Sequence, residues 1–204
     1  MTRIERIRRA PVQERSTETV YQILRAASDL LANEPLEQVT TSRIAEAAGV
    51  SVGGLYRFFP DRQAIVDAIA IEHVEDLRGM LEARFSMAAP EDGRVLLGAI
   101  IDAFVAFLDE RPDFRTIALG GHVSAGTRHR HTSAEVGPAA LVKRFFLDQF
   151  HLDLGGLDLK IRVASEAGER LIAYAYEQPD AGRRLAVIEE LKTLLGNYFF
   201  DYFR

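Results

Sequence analysis

Apolar residues recur at helical spacing along most of the chain. Val20, Ile23, Leu24, Ala27, Leu30 and Leu31 mark one buried face of an amphipathic helix over about Thr17 to Asn33, and Pro35 ends it. Ile44, Ala45 and Ala48 give one face of a short helix capped by Thr40 or Thr41, which Gly49 closes as a left-handed residue. Ser51 is a good cap for a second short helix over Val52 to Phe59, whose Leu55 and Phe59 lie at i and i+4. Pro60-Asp61 breaks the chain and starts a long helix from Arg62 to about Ala88, carried by Ile65, Ile69, Val74, Leu77, Leu81 and Phe85.

Leu96 to Leu108 is apolar nearly all round, the pattern of a helix enclosed by others. Arg111-Pro112 opens a short helix, and the stretch from Gly120-Gly121 to Gly137-Pro138 is rich in Gly, Ser, Thr and His and reads as loop. Leu141, Val142, Phe145, Phe146 and Phe150 restore a helix that Gly155-Gly156 closes. Two more follow, one through Val163, Ala167, Leu171 and Tyr174, the other through Leu185, Ile188, Leu191, Leu195, Tyr198 and Tyr202, with Gln178-Pro179-Asp180 between them. No alternating strand run with hairpin signals and no internal repeat is present, so the expected fold is all-α.

The domains expected are a flexible basic arm over 1–15, a three-helix unit over 16–62 and a larger helical domain over 63–204. The last two helices carry more apolar surface than one face needs. Ala164, Gly168 and Ala175 form a small-residue stripe suited to close helix approach, which suggests a four-helix interface with a second copy of the chain.

Composition narrows the chemistry. With 204 residues, 48% hydrophobic and 27% charged, the chain is an ordinary globular protein with room for a sizeable core. It has no Cys, which removes disulfides, Cys-based zinc sites and thiol nucleophiles. Val95 to Leu108 contains Asp102 and is too short to span a bilayer, and the arginines at the start lack an apolar segment behind them, so neither a membrane span nor a secretory signal is expected and a cytoplasmic location is. The net charge of −5 is unevenly placed: residues 1–62 hold 9 basic against 8 acidic side chains, and residues 63–204 hold 16 against 22. Such a protein binds nucleic acid only through local basic groups. The first nine residues, at +3, are one such group.

The two short helices joined at Gly49 form a helix-turn-helix. In this arrangement Ser51, Val52, Gly53 and Gly54 face the major groove, and their small size allows close approach to base edges. Tyr56 offers a hydroxyl to a phosphate and Arg57 a charge. Thr40, Thr41, Ser42 and Arg43, at a helix start, suit phosphate oxygens, as does Arg62 at the start of the next helix.

The run from Thr40 through Ile44-Ala45, Ala48-Gly49-Val50-Ser51, Gly53, Leu55-Tyr56 and Phe59-Pro60 to Arg62 closely resembles the DNA-binding region of TetR-family transcriptional regulators over about residues 16–66. Two positions depart from the family pattern: Gly54 stands where Thr or Ser is common, and Phe58 where Tyr or His is common. The resemblance implies a homodimeric repressor that binds a palindromic operator on double-stranded DNA and responds to a small-molecule effector held in the second domain. Phe85, Phe104, Phe107, Phe145 and Tyr174 are the candidate pocket residues. No cofactor and no metal are implied.

Three other readings use the same chain. Gly49-Val50-Ser51-Val52-Gly53 also spells the G-x-S-x-G of a hydrolase elbow, which requires a strand before the Ser. His129-x-His131, with His122 nearby, would serve a helical metal-dependent enzyme, although the spacing matches no specific ligand signature. A DNA-binding protein without an effector is the third.

Overall fold

The computed structural model describes residues 3–87, 92–124, 143 and 157–200. Among them are eight α-helices and no strand: α1 (Arg3–Asn33), α2 (Thr41–Ala47), α3 (Val52–Tyr56), α4 (Arg62–Met87), α5 (Gly93–Glu110), α6 (Pro112–Leu119), α7 (Leu157–Tyr176) and α8 (Ala181–Phe200). The all-α architecture is as expected, and the helix ends follow the local signals. Thr40 Oγ1 accepts from Arg43 N at 3.3 Å, Asp92 Oδ1 accepts from Arg94 N at 2.7 Å, and Pro112 opens α6 at a position where its missing N–H costs nothing. One start differs from expectation: α1 begins at Arg3 and runs through Pro11, where the sequence suggested an arm up to residue 15. The helix expected over Leu141 to Phe150 lies, Lys143 apart, outside the described residues.

The buried side chains form two cores. The first joins Ile23, Ala27 and Leu31 of α1 to Ile44, Ala45, Leu55 and Phe59, and takes Ile65, Val66, Ile69 and Ala70 from the first turns of α4. It also takes Ile117 of α6, which is fully buried there. The second begins at Val74 and Leu77 of α4 and is completed by α5, Phe114, α7 and α8. The two cores therefore meet on α4 between Ala70 and Val74, about two to three turns beyond Arg62. Helix α6 belongs to both, with Ile117 in one and Phe114 in the other.

Polar contacts fasten this shared helix. His73 Nε2 of α4 lies 2.7 Å from Asp113 Oδ2 of α6. Burial pushes the Asp113 carboxyl up, but the His73 hydrogen bond and charge, the Phe114 N–H and the Ser28 hydroxyl outweigh it and hold the group below its ordinary value. Past α6, Gly121 turns the chain at φ 67°, after which Gln63 Nε2 donates to His122 O at 2.7 Å and Ser124 Oγ donates to Asp67 Oδ2 at 2.6 Å. Both ends of α6 are thus tied to α4.

Helices α7 and α8 pack on each other across the turn at 177–180 and close the second core. The small stripe does this work within the chain: Ala164 and Ala175 are buried, and a Cβ added to Gly168 would sit 3.9 Å from Leu195 Cδ1 of α8. The exposed apolar residues lie elsewhere on these helices. Leu159, Val163 and Tyr174 fall within one narrow stripe of α7, and Leu194 and Tyr198 share a face of α8.

Candidate nucleic-acid interface

The path from Thr40 to Arg62 is built by its caps and turn. Helix α2 ends at Ala47 with Ala48 as its C-cap, and Gly49 takes φ 68°. A Cβ there would meet nothing within 4 Å, so the requirement for glycine is one of backbone conformation, not space. Val50 packs partly buried against the first core, Val50 N donates back to Ala45 O at 3.0 Å, and Ser51 Oγ caps α3 by accepting from Gly54 N at 3.0 Å. Leu55 is fully buried and Phe59 nearly so, which fixes α3 against α1 and α2. The serine-elbow reading fails here: Ser51 follows a helix and a turn and serves as an N-cap, where an elbow would need a strand.

With Leu55 turned inward, the opposite face of α3 is open. Ser51, Val52, Gly53, Tyr56 and Arg57 are exposed, Val52 at 40% and Tyr56 at 50%. Gly53 has open space where its Cβ would be, whereas a Cβ on Gly54 would come within 3.1 Å of Ser51 Oγ. An exposed valine beside two glycines is an unusual solvent face but a suitable one for thymine methyls and base edges. Tyr56 Oη and Thr41 Oγ1 lie 3.1 Å apart, so two hydroxyls from α3 and α2 meet at the flank of this face. Ser42 is exposed beside them, and Thr40 is engaged as the α2 cap.

The arginines divide into two kinds. Arg57 lies over the Phe58 ring, its Cζ 4.7 Å from the centroid, at the exposed end of α3. Arg43 is held by both Glu34 carboxylate oxygens and also donates to Gln38 O at 2.8 Å. Its hydrogen bond to Glu34 raises the Arg43 pKa and lowers that of Glu34. Arg62 Nη1 donates to Leu36 O at 2.9 Å and to Val39 O at 3.2 Å. Both residues thus fasten the 3₁₀ turn Leu36–Gln38 that connects α1 to α2. The role of Arg62 left no trace in the sequence pattern, because it depends on carbonyls 23 and 26 residues away.

The second domain holds a cavity of about 630 Å³. Of the candidate pocket residues, Phe104 lines it. Phe107 instead packs edge-on to Phe114 at 5.7 Å between centroids, and Tyr174 is 45% exposed on the outside of α7. The side chains of Phe85 and Phe145 lie outside the described residues, as do His129 and His131. His122 lies 4.0 Å from Glu37, and among the described residues no group of three His, Cys, Asp or Glu is placed to hold a metal ion. Nor is any described helix long and apolar enough to cross a membrane.

A capped helix-turn-helix with an open reading face, carried on a helical domain, defines a DNA-binding transcriptional regulator. Residues 23–69 match the family model of bacterial regulatory proteins of the tetR family. A TetR-family transcriptional regulator from Streptomyces coelicolor shares the fold with a TM-score of 0.71 at 25% identity, over 88% of this chain and 96% of that one. The fatty acid degradation regulator FadR from Bacillus halodurans has the same fold, with a TM-score of 0.64 at 15% identity over 85% of this chain and 96% of its own. The nucleoid occlusion factor SlmA of Idiomarina loihiensis is 31% identical over 101 residues, which is 48% of this chain and 50% of that protein. The chain spans about half the length of the curated relatives it matches. The chain thus resembles TetR-family transcriptional regulators, in sequence over residues 23–69 and in fold over most of its length.

Proposed function

We propose that the chain is a ligand-responsive repressor that acts as a homodimer on a palindromic operator. The observation that carries this reading is the open face of α3, small and apolar at its N-terminal end and fixed from behind by Leu55 and Phe59. Ser51 to Gly54 would meet base edges, while Tyr56, Thr41, Ser42 and Arg57 would meet phosphates. Arg43 and Arg62 would contribute mainly by holding the α1–α2 connection, with Thr40 as cap. The exposed stripe of Leu159, Val163 and Tyr174 on α7, together with Leu194 and Tyr198 on α8, is the face proposed for the second copy.

The link between domains is proposed to be α6 together with α4. A ligand that changes the second core would act on Phe114, and the same helix carries Ile117 into the first core. Repression is relieved if the ligand favours a dimer whose reading helices no longer match the half-site spacing, and it does so only through its differential affinity for the two geometries. The test is binding to an operator duplex by wild type and by Val163→Glu/Tyr198→Glu. The double variant should sediment as a monomer and lose at least about tenfold in operator affinity. A dimer that persists in the variant removes this face from the interface. A family member that binds DNA without an effector would show tight operator binding that no small molecule weakens.

A further inference from the structure

The outward face of α3 allows a close approach, and its side chains restrict what it can tell apart. Residues two apart on a helix lie about 200° apart around the axis, so Gly53 stands nearly opposite the buried Leu55, on the crest of that face. A Cβ at Gly53 would meet nothing within 4 Å, and the glycine leaves the crest as bare backbone. Val52 and Tyr56, one turn apart, form a flank of the crest and are 40% and 50% exposed. Ser51 turns its Oγ back to accept from Gly54 N at 3.0 Å, so this oxygen serves the helix cap. Val52, Gly53 and Gly54 have no side-chain donor or acceptor. Val52 is exposed and buries little against the first core, and valine is a weaker helix former than alanine, so neither packing nor propensity favours it there.

We infer that Val52 sets sequence preference by reading the C5-methyl group of a thymine in each half-site; the inference rests on α3 being the reading helix of the proposed function. In the major groove thymine presents an O4 acceptor and a methyl group, and the methyl is the feature that an aliphatic side chain recognises. Because Gly53 holds nothing between the helix backbone and the base edges, the Val52 methyls reach the thymine methyl and both leave water. Cytosine at the same place presents an amino donor, which Val52 would strip of water without offering an acceptor.

Uracil in place of thymine isolates this contact, since it keeps the pairing and the O4 acceptor and lacks only the methyl. The probe is the duplex recovered by selection from a random library, with each thymine of a half-site replaced in turn, symmetrically in both halves. At one position the wild-type protein should lose about fourfold in affinity per half-site, or about fifteenfold for the symmetric duplex, the worth of one buried methyl group each. Val52→Ala, an exposed change to a better helix former, leaves the fold intact and falls short of the base. It should bind the thymine and uracil duplexes within about twofold of each other. At the sensitive position 5-methylcytosine should bind wild type more tightly than cytosine by the same factor. Uracil tolerated at every position, or a uracil penalty of equal size in Val52→Ala, would overturn the inference while leaving α3 as the reading helix. A selection that enriches no sequence would overturn that reading itself, and the inference with it.

Discussion

The two cores of this molecule are built from the same residue types and differ in what they enclose. The first packs Ile23, Leu31, Ile44 and Leu55 at or near zero exposure around two short helices, and its product is an α3 held in one orientation. The second lies under longer helices and keeps a cavity of about 630 Å³ among its aliphatic side chains. A reading surface needs a fixed backbone, because hydrogen bonds to base edges tolerate little displacement. A ligand domain needs space that something else can fill. Helix α6 stands in both cores, with Phe114 in the hollow one and Ile117 in the closed one.

The largest expected effect comes from that side chain. Ile117→Ala should destabilise the protein by about 2–5 kcal/mol and lower operator affinity although the residue is far along the chain from the reading helix. Chemical denaturation checks the first and a binding titration the second. A loss below about 1 kcal/mol would mean that the first core closes without α6.

A matched pair of insertions sharpens the contrast between closed and hollow. Ala45→Leu, in the first core, should cost about 1–3 kcal/mol by overpacking, whereas Ala173→Leu, half-buried at the cavity wall, should stay within about 0.5 kcal/mol of wild type. Equal losses in thermal melts would show that the cavity wall is as unyielding as the first core.

The junction between the cores has its own signature in pH. Asp113 in the folded protein titrates below its ordinary value, so its contacts contribute stability above the unfolded pKa, and that contribution is lost as pH falls through the depressed folded value. Denaturation midpoints of wild type should therefore fall on acidification below about pH 4 more steeply than those of Asp113→Asn, which should be less stable at neutral pH. Parallel curves would remove Asp113 from the junction.

How far the sequence revealed these features follows from the range of the forces involved. The cap at Ser51, the left-handed Gly49 and the inward Leu55 and Phe59 are local consequences of neighbouring residues, and they were legible together with the all-α class. The role of Ile117 was not, because its partners come from α1 to α4 and no periodicity within Pro112 to Leu119 points to them. Position alone assigns Arg43 and Arg62 to phosphates; that their guanidinium groups tie down the carbonyls of Gln38, Leu36 and Val39 requires the folded path. Of the aromatic pocket candidates, Phe104 lines the cavity while Phe107 and Tyr174 do not. Helical spacing identifies a shared face without saying whether that face meets a cavity, a ring or solvent.

The smallest predicted effect on stability bears on function. Gly53→Ala adds a methyl in open space on a helix and should raise stability by up to about 1 kcal/mol. The same methyl stands on the face proposed for base contact, so operator affinity should fall while the melting temperature rises. Tighter or unchanged DNA binding would mean that Gly53 does not approach the bases.

Helix α3 is proposed to read DNA as one half of a symmetric pair, and selection of bound sequences from a random duplex library tests this most directly. The predicted result is an inverted repeat whose half-sites are separated by about one helical turn, 10–10.5 bp, or a multiple of it, and whose enrichment is lost in Val52→Glu while that variant still melts cooperatively. Enrichment of a single asymmetric site, or of no sequence at all, would contradict it.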